Sequence, residues 1–353
     1  MQPCSKPSLV WLLCWLSLLP AAQAEGSLPL PVVQEGGASP PAVATPAAPA
    51  ATPAATSITT PAASPAMSAD NPLASSLSAR IPRCPPVAQL EIYRQQEWQL
   101  ENGYGRLLRE LLECMGEDDP LLRDTYGFEG MQTILRRGDA SPRELRLLRK
   151  VLLWRLDYRA GAPRSVVRTA SFAALALAEI ARVERLQSFM KEEERDELID
   201  ATDQYLRNID DYHAWDLDAG WQHAVAHGAD LVLQQALHPK LTPAQHAKLW
   251  AALDAQLLPP YHAWQHGEGF RLARALYALA QRADYDKARW QAWVEKLAAQ
   301  TNWHEPVQQS MLVQRHNLEA VWYPLYFLLQ EGKPGAARSH LLPLLASRLA
   351  GLQ

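Results

Sequence analysis

Two histidines and an aspartate stand at spacings that would place them on one side of a helix. His223 and His227 are four residues apart, and Asp230 follows three residues later. At about 100° per residue, such side chains fall within an arc of about 60°. Two imidazoles one turn apart can bind the same metal ion, and a carboxylate can complete the set. We therefore predict a Zn²⁺-like site here. The alternatives are hydrogen bonds from both histidines to neighbouring helices, or a metal-free binding or catalytic site.

Two other segments carry polar residues along one predicted helical face. The segment 164–188 places several on one side, namely Arg164, Arg168, Ser171, Glu179 and Arg182. In 266–282, Glu268 and Arg271 are three residues apart. With a metal bound, Glu268 would act as general base, and Arg168 or Arg271 would stabilise developing negative charge. Without a metal, Asp230 and Glu268 could act as paired acid and base on a glycan. The alternative is ordinary ion pairing at the surface.

Further residues extend the predicted polar faces beyond these candidates. Each line of polar residues along one face of a predicted helix is called a stripe here, and the stripes are those of 164–188, of the His223 helix and of 266–282. Ser171 belongs to the first stripe, and Gln234 continues the stripe of His227 and Asp230 by one helical turn. Trp221 stands two residues before His223, and 261–264 (Tyr-His-Ala-Trp) could form an aromatic rim at the entry to the third stripe. We therefore predict a polar groove lined by three helices, with aromatic side chains at its edge.

These residues must be positioned by helices. Apolar residues recur at helical spacing from about residue 82 to the end, and no alternating strand pattern persists. Ser141 before a proline, and Thr242 before another, are typical helix starts. The pattern predicts an all-α fold of stacked antiparallel helical hairpins, a short α-solenoid or a partial α/α toroid. The predicted helices are 88–115, 120–136, 141–159, 164–188, 192–208, 217–237, 242–257, 266–282, 285–299, 305–330 and 335–350.

The first 24 residues predict a signal peptide. Lys6 precedes an apolar run at 9–19, and Ala22 and Ala24 stand three and one residues before Glu25. The run is shorter than a bilayer span, which needs about 20 residues. We therefore expect an exported, periplasmic protein with no transmembrane segment in the mature chain. Secretion, or tethering by an uncleaved signal, is the alternative.

The rest of the chain divides by composition. Residues 25–81 are dominated by Ala, Pro, Ser and Thr, which predicts a disordered linker because such a segment buries too little apolar area. Residues 82–353 predict a single all-helical domain. Export would leave Cys84 and Cys114 in a compartment that permits disulfides. We therefore predict a bond between them, with two buried free thiols as the alternative.

Charge and motifs narrow the function classes. The chain has 34 Lys and Arg against 38 Asp and Glu, a formal net charge of −4, which argues against nucleic acid as partner. It contains no HExxH, GxSxG, P-loop or CxxC motif. The absence of these catalytic motifs favours an exported binding or scaffold protein whose partner is an envelope protein, a peptide or a glycan. The alternative is a metal-dependent hydrolase that uses the His-x3-His-x2-Asp helix.

The segment 220–231, GWQHAVAHGADL, resembles the signature helix of a bacterial family called domain of unknown function 2785. Stretches at 168–175, 198–205 and 266–273 also resemble that family, and the resemblance extends over roughly 100–330. It implies an all-helical fold similar to HEAT-type repeats and leaves the activity open. Carried over by position, it selects Arg168, Ser171, Trp221, His223, His227, Asp230, Glu268 and Arg271.

Overall fold

The computed structural model describes residues 83–301 and 306–352, so the predicted signal peptide 1–24 and linker 25–81 lie outside the described residues. Within those ranges the predicted all-α fold is confirmed, apart from one short hairpin of strands β1 and β2 between α6 and α7. In chain order the elements are α1 (Val87–Gln95), α2 (Gly105–Cys114), a π-helix (Leu121–Phe128) that continues into α3 (Glu129–Arg137), α4 (Pro142–Leu156), α5 (Arg164–Leu186), α6 (Glu192–Asn208), β1 (Trp215–Asp216), β2 (Gly220–Trp221), α7 (Ala224–Ala236), α8 (Pro243–Asp254), α9 (Glu268–Ala280), α10 (Lys287–Gln300), α11 (Gln309–Glu331) and α12 (Ala336–Ala350).

The helices pack in consecutive pairs that form two layers. We call α3, α5, α7, α9 and α11 the odd layer, because each packs beside the next. The even-numbered helices from α4 to α12 form the second layer, and α4, α6 and α12 pack on α5, α7 and α11. One continuous hydrophobic core runs between the layers. Every residue of α7 is buried, so α7 lies at the centre of the odd layer.

Local sequence explains several helix ends. The hydroxyl of Ser141 accepts the Glu144 N–H, and the Glu144 carboxylate accepts the Ser141 N–H at 2.8 Å, which completes a capping box at the start of α4. Thr242 and Gln245 form the same arrangement before α8. Both predicted helix starts are therefore confirmed. No helix among the described residues is both long and apolar enough to cross a membrane.

The predicted helix 88–115 is wrong in one respect, because a turn divides it into α1 and α2. Glu97 and Trp98 have left-handed backbone angles, φ 53° and 60°, and the Trp98 N–H donates to the Tyr93 carbonyl at 2.8 Å. The Trp98 ring then packs where a side chain on Gly130 would stand. Burial of the indole stabilises a backbone conformation that residues other than glycine seldom adopt.

A disulfide joins Cys84 to Cys114 and so ties the start of the described chain to the end of α2. Cys114 is fully buried and Cys84 packs against the core. The bond spans 30 residues of sequence, and closing a loop of that length stabilises the fold by about 3–4 kcal/mol in the chain-entropy description.

Candidate functional site

The three predicted polar stripes converge between α5, α7 and α9. Three contacts join adjacent helices of the odd layer, namely Ser171 with His227, Arg185 with Gln234, and Asp230 with Arg271. We call these residues and the polar side chains that flank them the polar row. Its members are Arg168, Ser171 and Arg185 from α5, His227, Asp230 and Gln234 from α7, Glu268 and Arg271 from α9, and His223 from the residue before α7. Most of the polar row is buried. A buried line of polar groups at the centre of a domain is costly unless it is satisfied or used.

The predicted helix 217–237 begins later than expected, at Ala224. The Asp216 carboxylate accepts the N–H groups of Asp218 and Ala219 at 2.9 and 3.0 Å, and Gly220 has φ 67°. Aspartate and glycine thus form a turn that closes the hairpin, which helical periodicity alone does not reveal. His223 is the N-cap residue, with φ 50° outside the helical range, yet its carbonyl accepts the His227 N–H at 2.9 Å and the two rings lie 5.8 Å apart, so the predicted one-turn spacing is kept.

His223 is held by an aromatic stack and one hydrogen bond. Its ring lies on Trp221, with centroids 4.2 Å apart and planes at 25°. Its Nε2 lies 3.1 Å from the carbonyl oxygen of His266, so Nε2 carries the proton and Nδ1 is the acceptor. Together with the left-handed backbone, these contacts hold the imidazole at the junction between the hairpin and the start of α9.

Ser171 and His227 join α5 to α7. The Ser171 hydroxyl donates to the Gln222 carbonyl, so its oxygen is free to accept from His227 Nδ1 at 2.8 Å. Nδ1 also lies 3.2 Å from the Ser171 carbonyl oxygen. His227 is therefore protonated on Nδ1, and Ser171, which is fully buried, anchors the helices instead of presenting a nucleophile.

Asp230 and Glu268 are buried carboxylates that each keep one oxygen unpaired. Asp230 pairs with Arg271, and Glu268 accepts the His266 N–H at 2.9 Å. Asp230 Oδ1 and Glu268 Oε1 have no hydrogen-bond partner among the described residues. Burial raises the pKa of Asp230, and the charge of Arg271 opposes that rise. Such unpaired oxygens are uncommon in buried positions and are concentrated at functional sites.

Burial, with a smaller contribution from neighbouring positive charge, lowers the pKa of both histidines of the polar row. Burial lowers the pKa of His223 to about 3, and the charge of Arg271 contributes. Burial also lowers the pKa of His227 well below its usual value, with further contributions from His223 and Arg271. Two neutral imidazoles therefore stand in surroundings that disfavour any additional positive charge.

Arginines gather around two carboxylates further along the odd layer. Arg136 of α3 pairs with Glu179 of α5, and Glu179 lies close enough to Asp230 to raise its pKa. Burial and the neighbouring charge of Arg182 lower the pKa of Arg185, which donates to the neutral amide of Gln234 at 3.3 Å. On α9, Arg274 stands one turn beyond Arg271 and is also near Asp230. We call Arg136, Arg182, Arg185, Arg271 and Arg274 the arginine cluster.

The described residues do not assemble the predicted metal centre. No three His, Cys, Asp or Glu side chains within 83–301 and 306–352 are grouped so that they could hold a metal ion. His227 Nδ1 faces Ser171, His223 Nε2 faces a carbonyl oxygen, and Asp230 is paired with Arg271. The proposed general base Glu268 is 1% exposed and bonded to the backbone of its own loop.

Some of the partners could not be inferred from the sequence. Arg168 pairs with Asp118, which lies in the connection before the π-helix, and no local pattern links the two residues. The aromatic rim also forms only in part. Trp264 is buried in the core and donates its backbone N–H to Asn317 at 2.8 Å, whereas Tyr261 remains exposed.

The fold and site define a class of protein: a two-layer all-helical domain with a buried polar row along one layer. The model of the family described as protein of unknown function (DUF2785) matches residues 162–327. The matched range includes α5, α7 and α9 with every residue of the polar row, and it begins later than the resemblance at 100–330 suggested. No curated protein and no solved structure matches the chain.

Proposed function

We propose that this chain is an exported, non-enzymatic binding domain that holds an acidic peptide against the arginine cluster. One observation carries the proposal: Arg182 lies close enough to Arg185 to lower its pKa, and Arg185 donates to the neutral amide of Gln234, in a chain whose formal net charge is −4. Two adjacent guanidinium groups on α5 thus form a positive patch on a chain of negative net charge. A locally positive surface attracts an anionic partner and repels others.

The geometry of the arginine cluster supports a ligand more than it supports stability. Arg182 and Arg185 stand three residues apart and are both half-buried, so their charges repel each other where water screens them poorly. The repulsion between these two guanidinium groups destabilises the unliganded fold, and a bound carboxylate would offset that repulsion. Guanidinium groups also suit this task because they bind carboxylates through two parallel hydrogen bonds.

Export is part of the same proposal and rests on two separate observations. The first 24 residues have the pattern of a signal peptide. The disulfide between Cys84 and Cys114 supports an oxidising compartment, because such bonds seldom persist where glutathione keeps thiols reduced. The periplasm stays the predicted location, and an acidic segment of an envelope protein is the partner we propose.

The test measures binding of a fluorescein-labelled oligoglutamate by fluorescence anisotropy, with a labelled oligoglutamine of equal length as uncharged reference. The wild-type domain should bind the acidic peptide and release it as salt is added. Replacing Arg182→Gln and Arg185→Gln should weaken binding at least about tenfold, since two half-buried charges are lost. These arginines are not paired with Asp230, so the fold should be retained.

The matched control is Arg109→Gln with Arg143→Gln, which removes the same charge from exposed positions on α2 and α4. It should bind oligoglutamate as the wild type does. Equal weakening in both double variants would show non-specific attraction, and no binding by the wild type would overturn the proposal.

The hydrolase alternative depends on a metal centre that the described residues do not assemble. Elemental mass spectrometry of the same protein, purified without a metal-binding tag, tests it directly. Near-stoichiometric zinc that is lost on His223→Ala with His227→Ala would restore the hydrolase and contradict the binding proposal.

A further inference from the structure

A cavity lies at the edge of the domain where α5 begins. It is a cleft of about 430 Å³ between the residues just before α5, the loop that follows α6 and the loop that follows α8. No member of the arginine cluster lines it, whereas Arg164, Tyr261 and His262 belong to the polar stripe and aromatic rim predicted from the sequence. Its walls carry the aromatic and polar side chains Arg164, Asp211, Tyr212, His213, Tyr261 and His262.

One wall of the cleft is aromatic. Tyr261 is 89% exposed, which is unusual for so large a ring on a folded surface. Beside it, His262 stacks on Tyr212 with ring centroids 5.7 Å apart and planes at 26°. His262 Nε2 is buried and has no hydrogen-bond partner among the described residues. The wall therefore offers the exposed ring of Tyr261 beside the stacked rings of His262 and Tyr212.

The facing groups alternate between donors and acceptors. Asp211 Oδ1 lies 2.6 Å from His213 Nδ1, and His213 Nε2 lies 3.1 Å from a guanidinium nitrogen of Arg164. Because Arg164 can only donate, His213 Nε2 is the acceptor of that contact and Nδ1 donates to Asp211. Burial would raise the pKa of Asp211, but hydrogen bonds from His213 outweigh it and lower that pKa. Asp211 is thus an ionised acceptor beside the guanidinium donor.

The floor of the cleft is fixed by Asp210. Its carboxylate accepts the Tyr158 hydroxyl at 2.5 Å and the Gly161 N–H at 2.7 Å, which joins the loop after α6 to the residues before α5. The cleft is therefore held open by the fold itself. A ligand would meet walls that are already in place, which lowers the entropy cost of binding.

We propose that this cleft binds a glycan, with one sugar ring lying on Tyr261. A strongly anionic ligand would meet Asp210 and Asp211, and a cationic ligand would meet Arg164. An apolar ligand would leave the charged groups unpaired. A sugar has a C–H face that stacks on an aromatic ring and a rim of hydroxyls that both donate and accept. The proposal does not depend on the acidic-peptide site.

The experiment is isothermal titration of the described domain with three soluble probes, namely chitotetraose, cellotetraose and maltotetraose. At least one should bind with a dissociation constant of about 1 mM or lower. Tyr261→Ala should weaken that binding at least about fivefold, and Arg164→Gln should weaken it by a similar factor. The matched control is Trp154→Ala, which removes another exposed aromatic ring, 76% exposed, from α4.

Each outcome decides the proposal. Binding that is lost in Tyr261→Ala and kept in Trp154→Ala supports a glycan cleft at this place. No heat from any of the three probes at about 10 mM overturns it, as does equal binding by wild type and Tyr261→Ala. The Arg182→Gln and Arg185→Gln variant should bind the sugar normally, so failure of one proposal is distinguishable from failure of the other.

Discussion

Glu184 and Asp230 are both buried carboxylates of the odd layer, yet their surroundings act on them in opposite directions. Near the end of α5, Glu184 accepts the N–H groups of Phe189 and Met190 at 2.6 and 2.7 Å and a guanidinium hydrogen of Arg195 at 3.2 Å. Asp230 pairs with Arg271 through one oxygen and leaves the other unpaired.

The pKa values follow these contacts. Burial alone would raise the pKa of Glu184, but hydrogen bonds from His238 and from the two backbone N–H groups lower it to about 2. Burial raises the pKa of Asp230 despite Arg271. A fully satisfied carboxylate stabilises the fold, whereas one with spare hydrogen-bonding capacity is available to a ligand. The difference separates a structural residue from a candidate functional one.

The largest expected effect on stability concerns Glu184, the carboxylate to which we assign a structural role. Glu184→Gln should lower the free energy of unfolding by about 3 kcal/mol, because an amide N–H₂ must face existing donors and Arg195 loses its counter-charge. Urea denaturation followed by circular dichroism measures it. Glu101→Gln, at an exposed position before α2, is the control and should change stability by less than about 0.5 kcal/mol. A loss below that limit for Glu184→Gln would contradict a structural role.

The second effect concerns pH and the histidines of the polar row. His223 has a folded pKa of about 3 against an ordinary value of 6.5, so between these values the unfolded chain binds more protons than the folded chain. Stability should therefore fall as pH drops from 6.5 toward 3, by about 1.4 kcal/mol per pH unit for each such histidine. The lowered pKa of His227 acts in the same direction.

The variant His223→Asn should flatten this slope by about one proton, because asparagine does not titrate and tolerates the left-handed backbone. Urea denaturation at a series of pH values between 4.5 and 7 gives the slope. An unaltered slope in His223→Asn would show that His223 is not held neutral by burial.

The smallest effect on stability is expected at Asp230 itself. Asp230→Asn should cost about 1 kcal/mol or less, since the raised pKa already disfavours the charged form and one oxygen has no partner to lose. It should also tighten oligoglutamate binding about threefold by removing a negative charge from the arginine cluster. A stability loss as large as that of Glu184→Gln would remove the distinction between the two carboxylates.

Much of the architecture could be predicted from the sequence because it depends on local periodicity. The apolar spacing and the capping residues Ser141 and Thr242 predicted helices close to those observed. The polar stripes were also predicted, since side chains three and four residues apart share a face of any helix. Their convergence follows from the parallel packing of α5, α7 and α9, which the two-layer arrangement dictates.

The tertiary structure decided which role each stripe has. His223 follows the hairpin turn of Asp216 and Gly220 and has a left-handed backbone, and the hairpin brings Trp221 onto its ring, a contact that helical spacing does not predict. Asp118 reaches Arg168 from a distant connection. The free energy of a buried carboxylate depends on every donor that faces it, and those donors come from several segments. Residue types along the chain therefore determined where polar groups could stand, and packing alone determined which of them kept an unpaired oxygen.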